Sequence, residues 1–422
     1  MSKFVIEGGN RLDGAVRVQG AKNSALPILA ATLIGSGESI IHNCPMLSDV
    51  DAAVRILQQL GCKTAREGDT VRVDSTELSC DAIPDDLMRE MRSSCVFMGA
   101  ILARCGSARL SFPGGCELGP RPIDLHLSSL RRLGVVIEES HGYLDCRVEG
   151  GLKGCEITLP IPSVGATENI MLAACAAKGT TVVRNAAREP EISDLADYLN
   201  ACGGRIIGAG ESTLRIEGGR RFHAAEHRVI PDRIVAATYM AAAAVTGSRL
   251  ELYDVCLPHL EPVLPSFLEA GCDLICQSDR LMISAPDRLQ AVKTVRTMAY
   301  PGFPTDAQPP IMAMTLTAQG TSMFVENIFE NRYKHVGELL RMGARIKVEG
   351  KVAVVEGVDR LTGASVMAGD LRGGAALVVA ALGAEGVTEV DGLRHIDRGY
   401  EDMQQVLSFL GASIRRAEDI II

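Results

Sequence analysis

One cysteine lies in a stretch crowded with glycine and proline, Pro113-Gly-Gly-Cys-Glu-Leu-Gly-Pro-Arg-Pro122. Glycine and proline at this density exclude a helix interior or a central strand, so we expect Cys116 to lie on a loop. Arg121 follows five residues later and supplies a fixed positive charge. A thiol beside a cation can act as an acid or as a nucleophile. A surface turn that happens to contain cysteine would have the same residues, so the loop alone leaves both interpretations open.

Polar side chains also recur at the starts of six Ala-rich segments: Lys22-Asn23, Arg92, Ser163-Val164-Gly165, Asp232-Arg233, Thr305-Asp306 and Asp370-Leu371-Arg372. Helix N-termini leave N–H donors free and bind anions, and Asp, Ser and Thr serve there as N-caps. Capping explains Thr305, Ser163 and Asp232. It does not explain Lys22 or Arg92, because a cation opposes the helix dipole at that end. These two cations predict a bound anion or a carboxylate partner.

Three further arginines stand in turn-like contexts, Arg121, Arg332 and Arg398. Each of them alone fits an ordinary ion pair with a neighbouring acid. Together they could bind a ligand rich in phosphate and carboxylate. No glycine pattern of the P-loop or Rossmann type lies between a strand and a helix, which disfavours those nucleotide folds.

Composition limits the class of protein. The 422 residues exceed one ordinary core, so two domains are expected. A net charge of −9 argues against a nucleic-acid surface. The 13 cysteines show neither a CxxC pair nor zinc spacing, which fits reduced thiols in the cytoplasm. The N-terminus lacks a signal-peptide core, and the apolar run 234–245 is too short to insert into a membrane.

Two patterns recur six times along the chain. The first is an Ala-rich helix followed by a glycine, which is typical of a left-handed cap, and these glycines are 66 to 73 residues apart. The helices are predicted at Lys22–Ser36, Met88–Cys105, Ser163–Lys178, Asp232–Thr246, Asp306–Gln319 and Asp370–Glu385, before Gly37, Gly106, Gly179, Gly247, Gly320 and Gly386.

The second pattern is a more amphipathic helix that ends in glycine plus a small residue, at intervals of 68 to 73 residues. These helices are predicted at Val50–Leu60, Leu125–Leu133, Ile192–Cys202, Leu260–Ala270, Lys334–Met342 and Tyr400–Leu410. Short β-branched runs between them are typical of strands. Each repeat is therefore predicted as helix, strand, helix and two strands. Three repeats can bury their Ala-rich helices under sheets, so six repeats predict two α/β domains.

Two segments bear on how the domains connect. The polar stretch Glu217–Glu226 lies between the third and fourth repeats and is interpreted as the edge of the domain junction. The strands predicted at Lys3–Ile6 and Ala15–Val18 precede the first helix. They have the phase of a closing hairpin, so we expect them to complete the last repeat.

A set of motifs along the whole chain then resembles a known family. The motifs are Gly20-Ala-Lys-Asn-Ser-Ala-Leu-Pro27, Pro113-Gly-Gly-Cys116, Arg121-Pro-Ile-Asp-Leu-His126, Ser163-Val-Gly-Ala-Thr167, Asn185-Ala-Ala-Arg-Glu-Pro-Glu191, Phe303-Pro-Thr-Asp306, Phe329-Glu-Asn-Arg332, Asp370-Leu-Arg372 and His395-Ile-Asp-Arg-Gly-Tyr400. Together they resemble the UDP-N-acetylglucosamine 1-carboxyvinyltransferases. That family catalyses the first committed step of peptidoglycan synthesis in cell-wall biogenesis.

The resemblance implies a fold and a reaction. The fold would be two inside-out α/β-barrel domains with pseudo-threefold symmetry. They would span residues 22–230, with the Cys116 loop, and residues 1–21 plus 231–422, with the active site in the cleft between them. The reaction transfers the enolpyruvyl group of phosphoenolpyruvate to the 3-hydroxyl of UDP-N-acetylglucosamine and releases phosphate. It needs no metal and no organic cofactor.

The resemblance also implies roles for individual residues. Cys116 would be the proton donor and Asp306 the base, with Lys22 and Arg398 as further catalytic groups. Phosphoenolpyruvate would be bound by Lys22, Asn23, Arg121 and Arg398. UDP-N-acetylglucosamine would be bound by Arg92, Arg121, Pro122, Ile123, Asp124, Leu125, Ser163, Val164, Gly165, Asp306 and Ile328. Glu189, Asp232, Arg332, Asp370 and Arg372 would lie around the cleft.

The chain departs from the family pattern in three places. Pro160-Ile161-Pro162 stands before Ser163, where many relatives carry a lysine that contacts the nucleotide. Ile328 replaces the more common valine, which is a small change. Gly373-Gly374 follows Arg372 and is expected to loosen that helix start.

Two other functions remain open from the sequence. One is the sister enolpyruvyl transferase that acts on shikimate 3-phosphate, which the Cys116 loop and the Lys22-Asn23 motif disfavour. The other is a non-catalytic paralogue that binds the nucleotide sugar as a sensor, which the presence of both Cys116 and Asp306 disfavours.

Overall fold

The computed structural model describes residues 2–91, 94–111 and 123–418. This part of the chain divides into two units. Of the described residues, unit I comprises 20–91, 94–111 and 123–230, and unit II comprises 2–19 and 231–418. Cys116, Arg92, Arg121 and Pro122 lie outside the described residues.

The helices of the described chain are α1 (Lys22–Ala31), α2 (Ser48–Gln59), α3 (Asp85–Glu90), α4 (Phe97–Cys105), α5 (Asp124–Arg132), α6 (Val164–Ala174), α7 (Pro190–Ala201), α8 (Arg233–Val245), α9 (Leu257–Leu260), α10 (Leu264–Glu269), α11 (Gln308–Thr315), α12 (Val336–Arg341), α13 (Leu371–Leu382) and α14 (Met403–Phe409). Short 3-10 turns at Ser94–Val96, Thr305–Ala307, Arg332–His335 and Leu393–His395 supplement them.

The strands are β1 (Ser2–Glu7), β2 (Asp13–Arg17), β3 (Glu38–His42), β4 (Lys63–Glu67), β5 (Thr70–Asp74), β6 (Ala82–Ile83), β7 (Ser107–Ser111), β8 (Val135–Ser140), β9 (Tyr143–Val148), β10 (Glu156–Thr158), β11 (Thr180–Arg184), β12 (Ile206–Ile207), β13 (Thr213–Glu217), β14 (Glu226–Arg228), β15 (Arg249–Tyr253), β16 (Asp273–Gln277), β17 (Arg280–Ser284), β18 (Thr294–Arg296), β19 (Thr321–Val325), β20 (Arg345–Glu349), β21 (Val352–Glu356), β22 (Ser365–Met367), β23 (Val387–Asp391) and β24 (Ser413–Glu418).

The strands form six four-stranded sheets of one design, three in each unit. A short edge strand runs parallel to the strand that follows the inner helix, and two antiparallel strands complete the sheet, as in β10-β11-β13-β12. Unit I also contains β14-β3-β5-β4 and β6-β7-β9-β8. Unit II contains β16-β17-β15-β2, β18-β19-β21-β20 and β22-β23-β1-β24. The predicted six-fold repeat is thus confirmed.

The Ala-rich helices form the interior of each unit. In unit II, α8, α11 and α13 pack on one another, and in unit I, α4 packs on α1 and α6. Helix α6 is buried at every position from Ala166 to Ala174, and α8 from Ile234 to Ala244. Because these helices present apolar side chains on all sides, they must be enclosed, which places the sheets and the amphipathic helices outside them. This is the inside-out α/β architecture.

Left-handed glycines follow the helices, but among the inner helices only α4 ends directly at its glycine, Gly106. The other five inner helices end two to six residues before theirs and are therefore shorter than predicted. All six glycines after the inner helices have positive φ, from 59° to 115°, and so do the six after the outer helices, from 91° to 106°. A residue with a Cβ is strained in this left-handed region. One glycine per helix therefore fixes where the chain turns back to the sheet.

Three predicted elements differ from the structure. The helix predicted over Met88–Cys105 is not continuous, because Met91 is extended and ends α3 while α4 begins at Phe97. The outer helix predicted at Leu260–Ala270 is interrupted at Pro262, which lies between α9 and α10, while Pro265 stands in the first turn of α10, where proline is tolerated. Strand β1 completes the last repeat, between β23 and β24, but β2 pairs in parallel with β15 of the fourth repeat. Among the described residues, every helix is too short or too polar to span a bilayer.

Candidate active site

A buried ionic cluster lies at the inner-helix starts of unit II. Asp306 precedes α11 in a 3-10 turn, and its Oδ1 accepts from Arg332 Nη2 at 3.0 Å. Its Oδ2 accepts from Arg372 Nε at 3.3 Å. The side chains of Arg332 and Arg372 are 1% and 3% exposed, while that of Asp306 is 29% exposed. The two guanidinium groups therefore fix the carboxylate from the protein side and leave it accessible.

Arg332 is also bound to the backbone beside Asp306. Its Nε and Nη2 donate to the carbonyl oxygen of Thr305, at 3.1 and 2.9 Å. Its Nη1 lies 3.9 Å from Asp370 Oδ1. A guanidinium group with several fixed acceptors has little rotational freedom, so the carboxylate that it holds is also fixed.

Arg372 lies against Tyr400, with its guanidinium carbon 5.3 Å from the ring centroid. Burial opposes the charge of Arg372, but Tyr400, Asp306 and Asp232 outweigh it and raise its pKa above the ordinary value. Burial raises the pKa of Tyr400, whose hydroxyl is 2.9 Å from Thr238 Oγ1. Arg372 thus keeps its positive charge although its side chain is buried.

Acidic and hydroxyl side chains cap three of the inner helices. Ser163 Oγ accepts from Ala166 N, and Asp232 accepts from the amides of Ile234 and Val235. Asp370 accepts from the amides of Arg372 and Gly373. These contacts confirm the capping interpretation of Ser163 and Asp232.

Thr305 is the exception, because its hydroxyl caps no amide and donates to Glu326 at 3.1 Å. Glu326 is 2% exposed and also accepts from the amides of Ile328 and Phe329, at 2.8 and 3.0 Å. This carboxylate joins the turn before α11 to the segment of Ile328, whose side chain is 45% exposed. The capping interpretation of Thr305 is wrong.

The two glycines after Arg372 are required for close packing. A Cβ at Gly373 would lie 2.5 Å from Asp370 Oδ2 and 2.9 Å from His335 Cβ. A Cβ at Gly374 would lie 2.7 Å from Ile396 Cγ1. The absence of side chains brings α13 against its neighbours, so these glycines do not simply loosen the helix start.

In unit I, the cation at the start of α1 has a carboxylate partner. Lys22 Nζ donates to Asp49 Oδ2 at 3.0 Å, and the two residues are 8% and 2% exposed. Asp49 stands in the first turn of α2. The prediction that Lys22 has an anionic partner is confirmed, and Asn23 beside it is exposed.

The start of α6 connects to the start of α7 through one buried hydroxyl. Thr167 Oγ1 donates to the carbonyl oxygen of Ser163 at 2.8 Å and accepts from Ala187 N at 3.1 Å. Glu189, two residues later, is the N-cap residue of α7. The neighbouring Glu168 is 7% exposed, and burial together with Glu191 and Glu189 raises its pKa to about 8.

The remaining predicted residues lie at element ends. Ile123 is the N-cap residue of α5, and Asp124 and Leu125 open that helix. Val164 and Gly165 open α6. Arg398 is half-buried between the 3-10 turn at Leu393–His395 and α14.

Several residues with a part in this arrangement were not predicted: Asp49, Glu326, Tyr400, His335, Asn169 and Glu168. An acid in the first turn of an outer helix was a signal for Asp49, because inner and outer helices alternate. The others contact residues that are distant in sequence, which periodicity does not reveal.

The chain matches the family model described as EPSP synthase (3-phosphoshikimate 1-carboxyvinyltransferase) over residues 6–407. A relative named UDP-N-acetylglucosamine 1-carboxyvinyltransferase 2, from Caldanaerobacter subterraneus subsp. tengcongensis, is 55% identical over 99% of this chain and 100% of its own. UDP-N-acetylglucosamine 1-carboxyvinyltransferase 1 from Symbiobacterium thermophilum is 50% identical over 98% and 95%. A UDP-N-acetylglucosamine 1-carboxyvinyltransferase from Trichlorobacter lovleyi is 45% identical over 99% and 100%.

Solved structures give the same fold. The enolpyruvyl transferase NikO from Streptomyces tendae superposes with a TM-score of 0.90, at 26% identity over 99% of both chains. EPSP synthase from Acinetobacter baumannii superposes with a TM-score of 0.78 at 18% identity, over 99% of this chain and 100% of its own. At that identity the second likeness shows the fold alone. The chain is thus an enolpyruvyl transferase, and it belongs to the EPSP synthase family and, within it, to the UDP-N-acetylglucosamine 1-carboxyvinyltransferases.

Proposed function

We propose that this chain transfers the enolpyruvyl group of phosphoenolpyruvate to the 3-hydroxyl of UDP-N-acetylglucosamine, releasing phosphate, in the cytoplasm. Full-length identity of 45–55% to relatives of that name carries the proposal. The sister reaction on shikimate 3-phosphate is not favoured, because the EPSP synthase that superposes on this chain is only 18% identical.

The proposed reaction has two steps, an addition and an elimination. In the addition, the sugar 3-oxygen attacks C2 of phosphoenolpyruvate and loses its proton, while C3 gains a proton. In the elimination, C3 loses a proton and the C2–O bond to phosphate breaks. The protein must therefore supply an acid near C3, a base near the sugar hydroxyl and positive charge around phosphate and carboxylate.

We assign the base to Asp306 and the acid to Cys116. The assignment of Asp306 as the base is supported by its geometry. Buried arginines hold its carboxylate on one side, and the side chain is 29% exposed. The acid rests on the motif, since Cys116 lies outside the described residues. Lys22, Asn23, Arg121 and Arg398 would bind phosphoenolpyruvate.

We further propose that the nucleotide sugar is bound at Arg92, residues 121–125 and the start of α6, together with Asp306 and Ile328. Ser163, Val164 and Gly165 open α6, where amides and the helix dipole favour phosphate oxygens. Glu189, Asp232, Arg332, Asp370 and Arg372 orient the groups that contact the substrates. No organic cofactor or metal enters these steps.

A turnover assay with two acceptors tests the proposal. Phosphate release from phosphoenolpyruvate is expected with UDP-N-acetylglucosamine and not with shikimate 3-phosphate. The opposite preference would overturn the assignment. Tight binding of the nucleotide sugar without any turnover would instead support the non-catalytic paralogue.

The acid is tested separately. Fosfomycin, an epoxide phosphonate that mimics phosphoenolpyruvate, should alkylate Cys116 and stop turnover, and mass spectrometry should find the adduct at this one of the 13 cysteines. Cys116→Asp should retain activity because a carboxylic acid can also donate the proton. Cys116→Ala should lose about 10²–10⁴-fold in rate. Normal activity of the alanine variant would place the acid elsewhere.

A further inference from the structure

A buried histidine and a buried asparagine meet at the start of α6. Asn169, on α6, is fully buried, and His126, on α5, is 8% exposed. Asn169 Nδ2 lies 2.9 Å from His126 Nδ1. The direction of this hydrogen bond decides which nitrogen of the imidazole carries the proton.

The partners of Asn169 settle that direction. Its Oδ1 accepts from the amide of Gly99 at 2.7 Å, and a backbone N–H can only donate. Its Nδ2 faces the carbonyl oxygens of Cys95 at 3.1 Å and Gly165 at 3.4 Å, which can only accept. The atom facing His126 is therefore the NH₂ group, which has no lone pair to offer. His126 Nδ1 must accept, so in the neutral ring the proton is on Nε2.

The protonated nitrogen is directed at the first turn of α6. A Cβ at Gly165 would lie 2.8 Å from His126 Cε1 and 3.2 Å from Nε2, so this edge of the ring packs on the glycine backbone. Within the described chain, Nε2 has no hydrogen-bond partner. A side chain that is more than nine-tenths buried thus presents an unused N–H donor beside the free amides of an eleven-residue helix.

We propose that Asn169 is a positioning residue that fixes His126 as the Nε2–H tautomer, so that His126 donates an uncharged hydrogen bond to a phosphate oxygen of the nucleotide sugar at the start of α6. Burial lowers the pKa of His126 to about 4, although Asp124 on the same helix opposes this, so the ring is neutral at physiological pH. The identity of the ligand rests on the proposed function, whereas the tautomer of His126 rests only on the contacts of Asn169.

Nitrogen-15 NMR of the free, full-length protein reads the tautomer directly, with His126→Gln to assign the signal. We expect Nδ1 to give the shift of an unprotonated nitrogen and Nε2 that of a protonated one. UDP should move the Nε2–H signal, and uridine, which has no phosphate, should not. A proton on Nδ1, or equal shifts with UDP and uridine, would overturn the proposal. This experiment holds even if the chain turns over another acceptor.

Substitutions test the role in binding. The side chain of Gln places its amide near the Nε2 position and that of Asn near the Nδ1 position. His126→Asn should therefore raise KM for UDP-N-acetylglucosamine about tenfold or more, with kcat much less affected, and His126→Gln should recover most of the loss. Equal effects of the two variants would contradict the donor role.

Asn169→Asp replaces the NH₂ donor with an acceptor and forces the proton onto Nδ1. The ring then donates from Nε2 only when it is doubly protonated, so KM for the nucleotide sugar should become pH-dependent, rising as the imidazolium loses its proton. The wild type should show no such step. Asn200→Asp is the matched control, because Asn200 is exposed and its side chain bonds to the backbone of Ile206. The same step in the control, or none in Asn169→Asp, would refute the assignment.

Discussion

Each unit places a buried histidine beside the first turn of an inner helix, and the two histidines take opposite tautomers. In unit I, His126 Nδ1 accepts from an amide group, so the proton is on Nε2. In unit II, His335 Nδ1 lies 3.1 Å from the carbonyl oxygen of Arg332, which can only accept, so the proton is on Nδ1. His335 Nε2 is then a buried acceptor without a partner in the described chain.

The groups around the two histidines also differ, because those in unit I are mostly neutral and those in unit II are charged. Beside the first turn of α6 lie the neutral side chains of Asn169 and His126. Glu168 follows that turn with a raised pKa, and Asp124 on α5 is the acid that acts on His126. The inner-helix starts of unit II are built from charges, with Asp306 between Arg332 and Arg372. One repeat architecture therefore supports a neutral donor site in one unit and an ionic cluster in the other. The scaffold sets where the helix starts lie, and a few side chains set their chemistry.

The largest expected effect on stability comes from the ionic cluster of unit II, compared with the neutral contacts of Asn169 in unit I. Arg332→Met leaves Asp306 Oδ1 and the carbonyl oxygen of Thr305 without their buried donor and should lower the free energy of unfolding by about 3–5 kcal/mol. Asn169→Ala removes only neutral hydrogen bonds and should cost about 1–3 kcal/mol. Urea unfolding of both variants measures the difference. Equal costs would show that the two sites do not differ in this way.

Glu168 should make unit I less stable at high pH. Its pKa rises from 4.5 to about 8 on folding, so the folded state keeps a proton that the unfolded state loses between these values. Stability therefore falls as the pH rises from about 4.5 to 8. Glu168→Gln, which mimics the neutral acid, should match the wild type at pH 4.5 and exceed it by about 2–4 kcal/mol above pH 8. The exposed Glu138→Gln is the control, and a constant difference at all pH values would contradict the prediction.

The two buried histidines should lower the stability at low pH, whereas Glu168 lowers it at high pH. Burial lowers the pKa of both from 6.5 to about 4, with Arg332 adding to the effect at His335 and Asp370 opposing it. The unfolded chain binds the extra protons between these values, so stability is lost as the pH falls from 6.5 to 4. Each histidine should contribute about 2–3 kcal/mol to that loss.

His126→Gln and His335→Gln should each remove part of this slope in acid unfolding curves, while the exposed His223→Gln should not. If only one of the two variants at buried histidines flattened the curve, the two units would not share a buried histidine that destabilises the fold in acid.

The smallest effects test a shared feature, the glycine in each first turn. A Cβ at Gly165 would meet His126, and one at Gly373 would meet Asp370 and His335. Gly165→Ala and Gly373→Ala should each cost about 1–3 kcal/mol. Gly337→Ala in α12 meets nothing within 4 Å and should gain up to about 1 kcal/mol, which thermal unfolding can detect. Neutral substitutions at Gly165 and Gly373 would show that neither turn is tightly packed.

The repeat was predictable because it depends on local signals. Ala-rich helices and glycines at a fixed interval are visible in one sequence, and the β-branched runs between the helices coincide with strands such as β3 and β19. Five of the six parallel edge strands were missed, since their two or three residues give no periodicity, whereas the longer β2 was predicted. The break after Met91 was missed because neither a proline nor a glycine marks it in the sequence.

The site was predictable only in part. Caps at Ser163 and Asp232 and a carboxylate partner for Lys22 follow from the dipole at a helix start. The contact of His126 with Asn169 joins residues 43 positions apart on different helices, and that of Arg372 with Asp306 spans 66. No spacing rule specifies such pairs, because they depend on how the helices pack.

The position of β1 has a consequence for the order of synthesis. β1 is an inner strand of its sheet, yet Lys3 bonds to Glu389, 386 residues later in the chain. On the ribosome this strand must wait, with both edges unpaired, until β23 and β24 have emerged. Every strand of unit I lies between residues 38 and 228, so that unit can finish folding in the meantime. Strand β1 is therefore made before every strand of unit I and is paired after them, and its unpaired edges make the nascent chain vulnerable to wrong strand pairing.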